Sequence, residues 1–366
     1  MLSEQHFAEM AEQERPVLVD HLAFSFKFTE LRHCHKADLS SFAWQKMPKA
    51  TYQTVTNPQQ RAIALERYQN AVREVLTDRL ATFLFHVMGM TLSPMRGRGL
   101  HGYEDSAVIL DKTGSVECGL MGVGGNNETV FIQLSGRGCK YLLEHTTTFR
   151  LHWWLTKILH VFTLSRLDLA VDDFSGCFDC KYAETAWREG AFRTSQRGMG
   201  PKVNPHVVYA ANGDVLEEAT IVGSRQSAVY WRVYNKKLEQ GLNKLDITWY
   251  RNEVELKKCN VDALLDPAAA FAGICAFSAS IEPTQGVSIK RVTKDACLDL
   301  LGRIRWTRRQ CGKALSDVVR MFNGDTSKAF GLLSAPLDLD VFELEDYGKL
   351  ALPETYQNII NIALEN

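Results

Sequence analysis

The sequence predicts an α+β fold: largely antiparallel sheets with flanking helices, a hint of two related lobes, and a mostly helical carboxy-terminal segment. Three observations carry this. Period-two alternation of apolar and polar residues recurs in long stretches, the mark of half-buried strands. Helical patterns are interspersed among those strands without the regular strand-helix alternation of a doubly wound sheet. A short run, Asp20-His21-Leu22-Ala23, returns as Asp168-Leu169-Ala170 with one residue fewer.

Taken in order, residues 16–29 read as a first strand and 59–90 as a long amphipathic helix without proline after its start. Strands are expected at 105–111, 114–122 and 129–135, separated by turn-forming Lys112-Thr113-Gly114 and by the glycine cluster at 122–127. That cluster invites a phosphate-loop reading, but strand residues follow it where a phosphate-cradling loop opens a helix. A helix at 148–162 leads to a strand at 164–174, a helix near 181–190, strands near 204–210, 217–223, 226–236 and 246–258, and a helix at 261–277. The expected domains are an amino-terminal lobe at 1–147, a second lobe at 148–280 and a helical region at 281–366, basic and then acidic.

Composition narrows the class. The chain has 366 residues, enough for two or three cores, and a formal net charge of −1, so bulk charge alone does not suggest a nucleic-acid partner. Nine cysteines, an odd number spread over the whole length, read as reduced thiols. With no long apolar run and no signal-peptide pattern, a cytoplasmic protein without membrane association is expected. Charge is nevertheless polarised: Lys290, Arg291, Lys294, Arg303, Arg305, Arg308, Arg309 and Lys313 precede an acidic tail beginning at Asp338.

Parity along three strands gives a candidate site. Arg166, Asp168, Ala170 and Asp172 share one strand face, Arg251, Glu253 and Glu255 another, and Tyr230, Arg232, Tyr234 and Lys236 a third. If the three apolar sides cover one core, the polar sides converge. Clustered carboxylates suit a hard divalent cation, magnesium or manganese, and the cations suit a phosphate. A tyrosine there has a plausible role as nucleophile. Forming its phenolate at neutral pH costs roughly 4 kcal/mol, and neighbouring cations are expected to reduce that. Parity alone leaves two alternatives open, a solvated face laced by ion pairs or a site, and does not choose between Tyr230 and Tyr234.

The run from Ile221-Val-Gly223-Ser224-Arg225-Gln-Ser227 to Trp231-Arg232-Val-Tyr234-Asn-Lys236-Lys237-Leu-Glu239 resembles the signature of the replication initiation factor family. That family includes initiators of rolling-circle plasmids and the RstA-type initiators of filamentous phages. Arg166-Leu-Asp168-Leu-Ala-Val-Asp172-Asp173, Arg251-Asn-Glu253-Val-Glu255-Leu-Lys257 and Gln133-Leu-Ser-Gly-Arg-Gly-Cys139 are similar to further family motifs. The resemblance implies a metal-dependent nicking and rejoining enzyme that initiates rolling-circle DNA replication. A tyrosine attacks the origin and becomes joined to the 5′ phosphate, leaving a 3′-hydroxyl primer. By motif position the nucleophile is Tyr234. Arg232, Lys236 and Arg251 steady the phosphate, and Asp168, Asp172, Glu253 and Glu255 are the pool of ligands for Mg2+ or Mn2+. Arg166, Gly223, Ser224, Arg225 and Lys237 are expected to contact DNA, joined by Arg303, Arg305, Arg308 and Arg309 of the basic block. Expected partners are double-stranded origin DNA, single-stranded DNA at the nick, a second copy of the chain, and a host helicase and polymerase. A mobilisation relaxase with the same chemistry and a non-catalytic DNA-binding regulator are the alternatives.

Other signals compete. His33-Cys34-His35 has the His-hydrophobic-His form of a different class of rolling-circle enzyme, yet its flanks do not read as a strand. Cys177-Phe-Asp-Cys180 lacks a second pair at zinc-ligand spacing. His152, beside Trp153 and Trp154, reads as packing.

Overall fold

In a computed structural model, described for residues 17–37, 44–195, 199–282, 284, 286 and 315–328, the alternating segments form one ten-stranded sheet. Its strands are β1 (Leu18–Lys27), β2 (Met90–Leu92), β3 (Asp105–Asp111), β4 (Glu117–Val123), β5 (Thr129–Leu134), β6 (Thr163–Asp173), β7 (Val203–Tyr209), β8 (Val215–Gly223), β9 (Val229–Asn235) and β10 (Tyr250–Asn260). The helices are α1 (Pro58–Phe83), α2 (Gly136–His145), α3 (Thr148–Trp153), α4 (Cys180–Arg188), α5 (Lys236–Glu239), α6 (Pro267–Ala272) and α7 (Ala276–Ile281). The strand order is β2-β3-β4-β5-β1-β6-β10-β9-β8-β7, with every pairing antiparallel.

That order repeats itself. In each half a long strand is followed by a helix and then by four strands in a meander, the last of which returns to pair with the first. The halves join where β1 meets β6. The extra residue of Asp20-His21-Leu22-Ala23 becomes visible there. Val19 faces Leu169 and His21 faces Asp168, so Asp20 is taken up as a β-bulge.

Local chemistry sets the boundaries. Asn57 caps α1 by accepting from the amides of Gln59 and Gln60, and Pro58 occupies its first position. The helix continues through a π turn, Leu84–Met88, and stops at Gly89 in the left-handed region (φ 70°). The two last residues of the expected 59–90 helix thus end it and begin β2. Ser135 caps α2, a helix the sequence reading did not anticipate. The expected helix at 261–277 is broken by Pro267 and Gly273 into a 3-10 turn (Val261–Leu264), α6 and α7. The glycine cluster closes the β4–β5 hairpin, with Gly124, Gly125, Asn126, Asn127 and Glu128 all at positive φ. A hairpin, not a phosphate loop, explains those glycines.

The apolar side of the sheet is buried on Leu22, Phe24, Ile132, Leu167, Leu169, Trp231, Val233 and Val254, against helical Leu76, Phe83, Trp154, Phe271 and Phe277. The chain divides into compact units Met1–Lys290 and Arg291–Asn366. In the second, residues 315–321 are helical. Arg303, Arg305, Arg308 and Arg309 lie outside the described residues.

Candidate active site

The three polar strand faces identified from parity lie side by side in register. One row across the sheet runs His21, Asp168, Glu255, Tyr230. The next carries Ala170, Glu253 and Arg232, and the third Asp172, Arg251 and Tyr234. Alternation placed these side chains on one face, and burial makes the face unusual. Asp168, Asp172, Glu253, Glu255, Arg251, Tyr230 and Tyr234 are all buried.

Buried charges persist only with partners, and each here has one. Arg166 binds Asp168 through Nε at 2.8 Å and Nη2 at 2.5 Å, and reaches Glu255 at 3.1 Å. Lys257, the next residue of that face on β10, holds the other oxygen of Glu255 at 3.2 Å. Arg232 donates to both oxygens of Glu253 at 2.8 and 2.9 Å. Arg251 forks onto Asp172 at 2.7 Å on both sides and gives its remaining nitrogen to Asp20 at 3.0 Å. Burial works against the Arg251 charge, but Asp172 and Asp20 outweigh it and hold the guanidinium protonated.

Asp20 was missed by sequence reasoning, although the repeated Asp-His-Leu-Ala run held the signal. Its bulge delivers a carboxylate from the first half of the sheet into the face of the second. Close packing keeps it there: a Cβ on Gly136, the first residue of α2, would stand 2.5 Å from Asp20 Oδ1. His21 joins from the same bulge. Its pKa is lowered to about 4 by burial and by the Arg166 charge, partly offset by Glu255, which leaves the imidazole neutral.

Tyr234 donates its phenolic hydrogen to Glu253 Oε2 at 3.2 Å. The Arg232 guanidinium lies 5.1 Å and Lys236 Nζ 5.5 Å from its ring centre. The sequence reading expected nearby cations to ease formation of the phenolate, and Arg251 and Arg232 do pull that way but are outweighed. Burial first, then the Glu253 charge, push the Tyr234 pKa up, and Arg251 and Arg232 offset only part of the rise. The resting phenol is protonated. Lys236 lies past the end of β9, in the helical turn α5 capped by Asn235, and pairs with Glu239 at 2.6 Å.

Tyr230 shares the face, beneath the Arg225 guanidinium at 5.3 Å. Tyr250 points to the opposite side, where its hydroxyl meets Glu218 at 3.0 Å. Gly223, at φ 98°, ends β8, and Ser224 and Arg225 form the exposed turn into β9. The backbone carbonyl of Arg225 accepts from the Lys257 ammonium. The Lys237 amide is bound to the Trp249 carbonyl at 3.2 Å.

The all-oxygen chemistry of the donor set suits a hard divalent cation, although among the described residues no three of these carboxylate oxygens converge. Asp20, Asp168, Asp172, Glu253 and Glu255 face Arg166, Arg232, Arg251 and Lys257, leaving one negative charge in excess. Burial, and the repulsion of Glu253 and Glu255, raise the Asp168 pKa to about 6 against the opposing pull of Arg166. A carboxylate held that high gains from an added cation. The arginines currently hold these carboxylates apart, and Asp172 is committed to Arg251.

β6, β9 and β10 are thus the strands that build the face, and the comparisons with known proteins bear on the same stretch. Residues 162–330 match the replication initiation factor family. The match begins one residue before β6 and takes in every strand of the second half of the sheet. The amino-terminal Gln133–Cys139 motif lies outside it. A solved structure described as a rolling circle replication initiator protein from Geobacillus stearothermophilus is similar at 17% identity, over 71% of this chain and 84% of that one, with a TM-score of 0.45. No curated protein matches. The matched stretch contains the Arg-x-Glu-x-Glu strand and the tyrosine strand, and Asp20 adds a carboxylate from outside it.

The other signals resolve locally. His33-Cys34-His35 lies on a 3-10 turn, Phe28–Lys36, with Cys34 buried between diverging histidines. Cys180 is buried at the start of α4 and Cys177 is exposed. His152 Nε2 meets Asp262 at 2.8 Å. Among the described residues no helix is long and apolar enough to cross a membrane.

Proposed function

We propose that the protein initiates rolling-circle DNA replication by nicking one strand of an origin through Tyr234. The observation that carries this reading is the Tyr234–Glu253 hydrogen bond at the centre of a buried face of arginines and carboxylates. A phenol whose pKa is raised needs a base as it attacks, and Glu253 is the group in contact with its proton. As the phenolic oxygen bonds to phosphorus, its proton passes to Glu253. The bond from phosphorus to the 3′ oxygen breaks, and that oxygen takes up a proton from solvent to become the free 3′ hydroxyl. The 5′ phosphate stays on the tyrosine.

Arg232 can exchange one carboxylate oxygen of Glu253 for a phosphate oxygen, which frees that oxygen and pairs the developing charge. Asp168, Glu253 and Glu255 would hold a Mg2+ or Mn2+ ion, which when bound supplies positive charge to the scissile phosphate. Arg225, exposed on its turn, and Arg166, with a third of its side chain exposed, are suited to the flanking DNA backbone.

The test is one reaction on supercoiled origin plasmid with magnesium or manganese, comparing wild type, Tyr234→Phe and Tyr230→Phe. A covalent protein–DNA adduct should form with wild type and Tyr230→Phe and be absent from Tyr234→Phe. An adduct that persists in Tyr234→Phe assigns the nucleophile elsewhere. The burial of Tyr234 favours a second reading, a DNA-binding regulator on the same fold, and origin binding with no adduct from any of the three would support it.

A further inference from the structure

A second cluster lies away from this face and owes nothing to the proposed chemistry. Glu30 and His33 sit on the 3-10 turn after β1, while His160 lies in the short link that enters β6. Glu30 Oε2 is 2.6 Å from His160 Nδ1 and 3.6 Å from His33 Nε2, and the two rings meet at 5.4 Å between centres. Among the described residues this is the group in which three potential metal-ligand atoms all lie within 4.8 Å of one another.

The segments that bring them together are firmly held. Leu31 and Cys34 bury the inner side of the 3-10 turn. The buried Arg79 of α1 fixes it further, donating Nη1 to the carbonyls of Leu31 and Arg32 at 3.0 and 2.8 Å and Nη2 to Gln45 at 2.6 Å. His160 adopts a left-handed backbone (φ 51°), uncommon for a residue with a side chain. His35 is turned aside, with Nδ1 on the Arg32 carbonyl at 2.7 Å.

We propose that Glu30, His33 and His160 bind a divalent transition-metal ion of the zinc class, clipping the segment that leaves β1 to the segment that enters β6. Two imidazoles and a carboxylate are a donor set for zinc, whereas the all-oxygen face suits magnesium or manganese. Zinc–nitrogen and zinc–oxygen bonds of about 2.0–2.2 Å place tetrahedral ligands roughly 3.4 Å apart. The His33–Glu30 spacing already matches, and Glu30 and His160 need only open from hydrogen-bond contact. With Glu30 22%, His33 37% and His160 43% exposed, the ion can enter from solvent, and a fourth position is left for water.

The experiment uses the full chain, freed of metal by chelator dialysis and then titrated with zinc by calorimetry in excess magnesium. Cobalt(II) is titrated in parallel for its visible tetrahedral bands. Wild type should bind one equivalent. His33→Ala and His160→Ala should each weaken binding by more than the 10–100-fold that loss of an outer-shell partner costs, and abolish the cobalt bands. Glu30→Gln, nearly isosteric, decides the matter if a histidine variant fails to fold. Asp168→Asn should bind zinc like wild type. No stoichiometric binding, equal binding by wild type and the histidine variants, or loss on Asp168→Asn alone would overturn the site. None of these readouts depends on nicking, so the failure of either proposal leaves the other standing.

Discussion

Tyr234 gives its hydroxyl hydrogen to Glu253 while both oxygens of that carboxylate are gripped by Arg232. The proposed nucleophile and its proposed base are therefore already in contact, with a guanidinium paired to that base. Glu253→Gln keeps the shape but cannot accept the proton. Single-turnover cleavage of a single-stranded origin oligonucleotide should slow by about 10²–10⁴-fold, with binding of the uncut strand little changed. A wild-type rate would remove Glu253 from the role of base.

The elevated Asp168 pKa makes a prediction for stability. Unfolded, the side chain titrates near 3.9, and folded near 6, so between those values the native state binds more protons. Stability from this group is present at low pH and lost as pH rises through about 4 to 6, by up to about 3 kcal/mol. The difference in urea stability between wild type and Asp168→Asn should fall over that window and flatten above it. Manganese should raise the wild-type melting temperature at pH 7 and have less effect on the variant. A difference that stays flat from pH 4 to 7 contradicts the shift.

Arg251 is the sole cation bound to Asp172 and Asp20 among the described residues. Arg251→Gln strands two carboxylates at the join of the two halves and should cost about 3–5 kcal/mol in denaturant unfolding. Arg251→Lys keeps the charge but not the fork, and should fall between. A loss below about 1 kcal/mol would mean that solvent takes over the pairing.

Gly138 separates packing from backbone conformation. A Cβ there would stand 1.9 Å from the Cys118 carbonyl oxygen, in the contact between α2 and β4. Gly138→Ala should lower stability by about 1–3 kcal/mol or more. Gly114→Ala, at φ 77° with nothing within 4 Å, pays only for its left-handed backbone, about 1 kcal/mol. Equal melting temperatures for the two variants would show that α2 shifts freely.

Much of this was legible because strand parity is a local property. Residues 166–172, 230–234 and 251–255 announced their faces by alternation, and the family motifs singled out Tyr234 from Tyr230. What stayed hidden depends on contacts between distant segments. No local pattern shows that Asp20 meets Arg251, that burial keeps the Tyr234 phenol protonated, or that Glu30 and His33 find His160. The missing α2 has a different cause: its opening Ser-Gly-Arg-Gly looks like a turn, and only packing against Cys118 and Asp20 makes a helix of it.

The β-bulge at Asp20 has a consequence for how the molecule comes into being. Its partner Arg251 lies 231 residues further along the chain. The first five strands can pair among themselves early, but the acidic side chain at residue 20 waits for the last strand of the sheet to arrive. Bringing such distant segments together is slow, since chain entropy is lost before the contact rewards it. A nascent or truncated chain that stops short of β10 lacks the completed charge cluster. The charge cluster is thereby completed only when the last strand of the sheet docks.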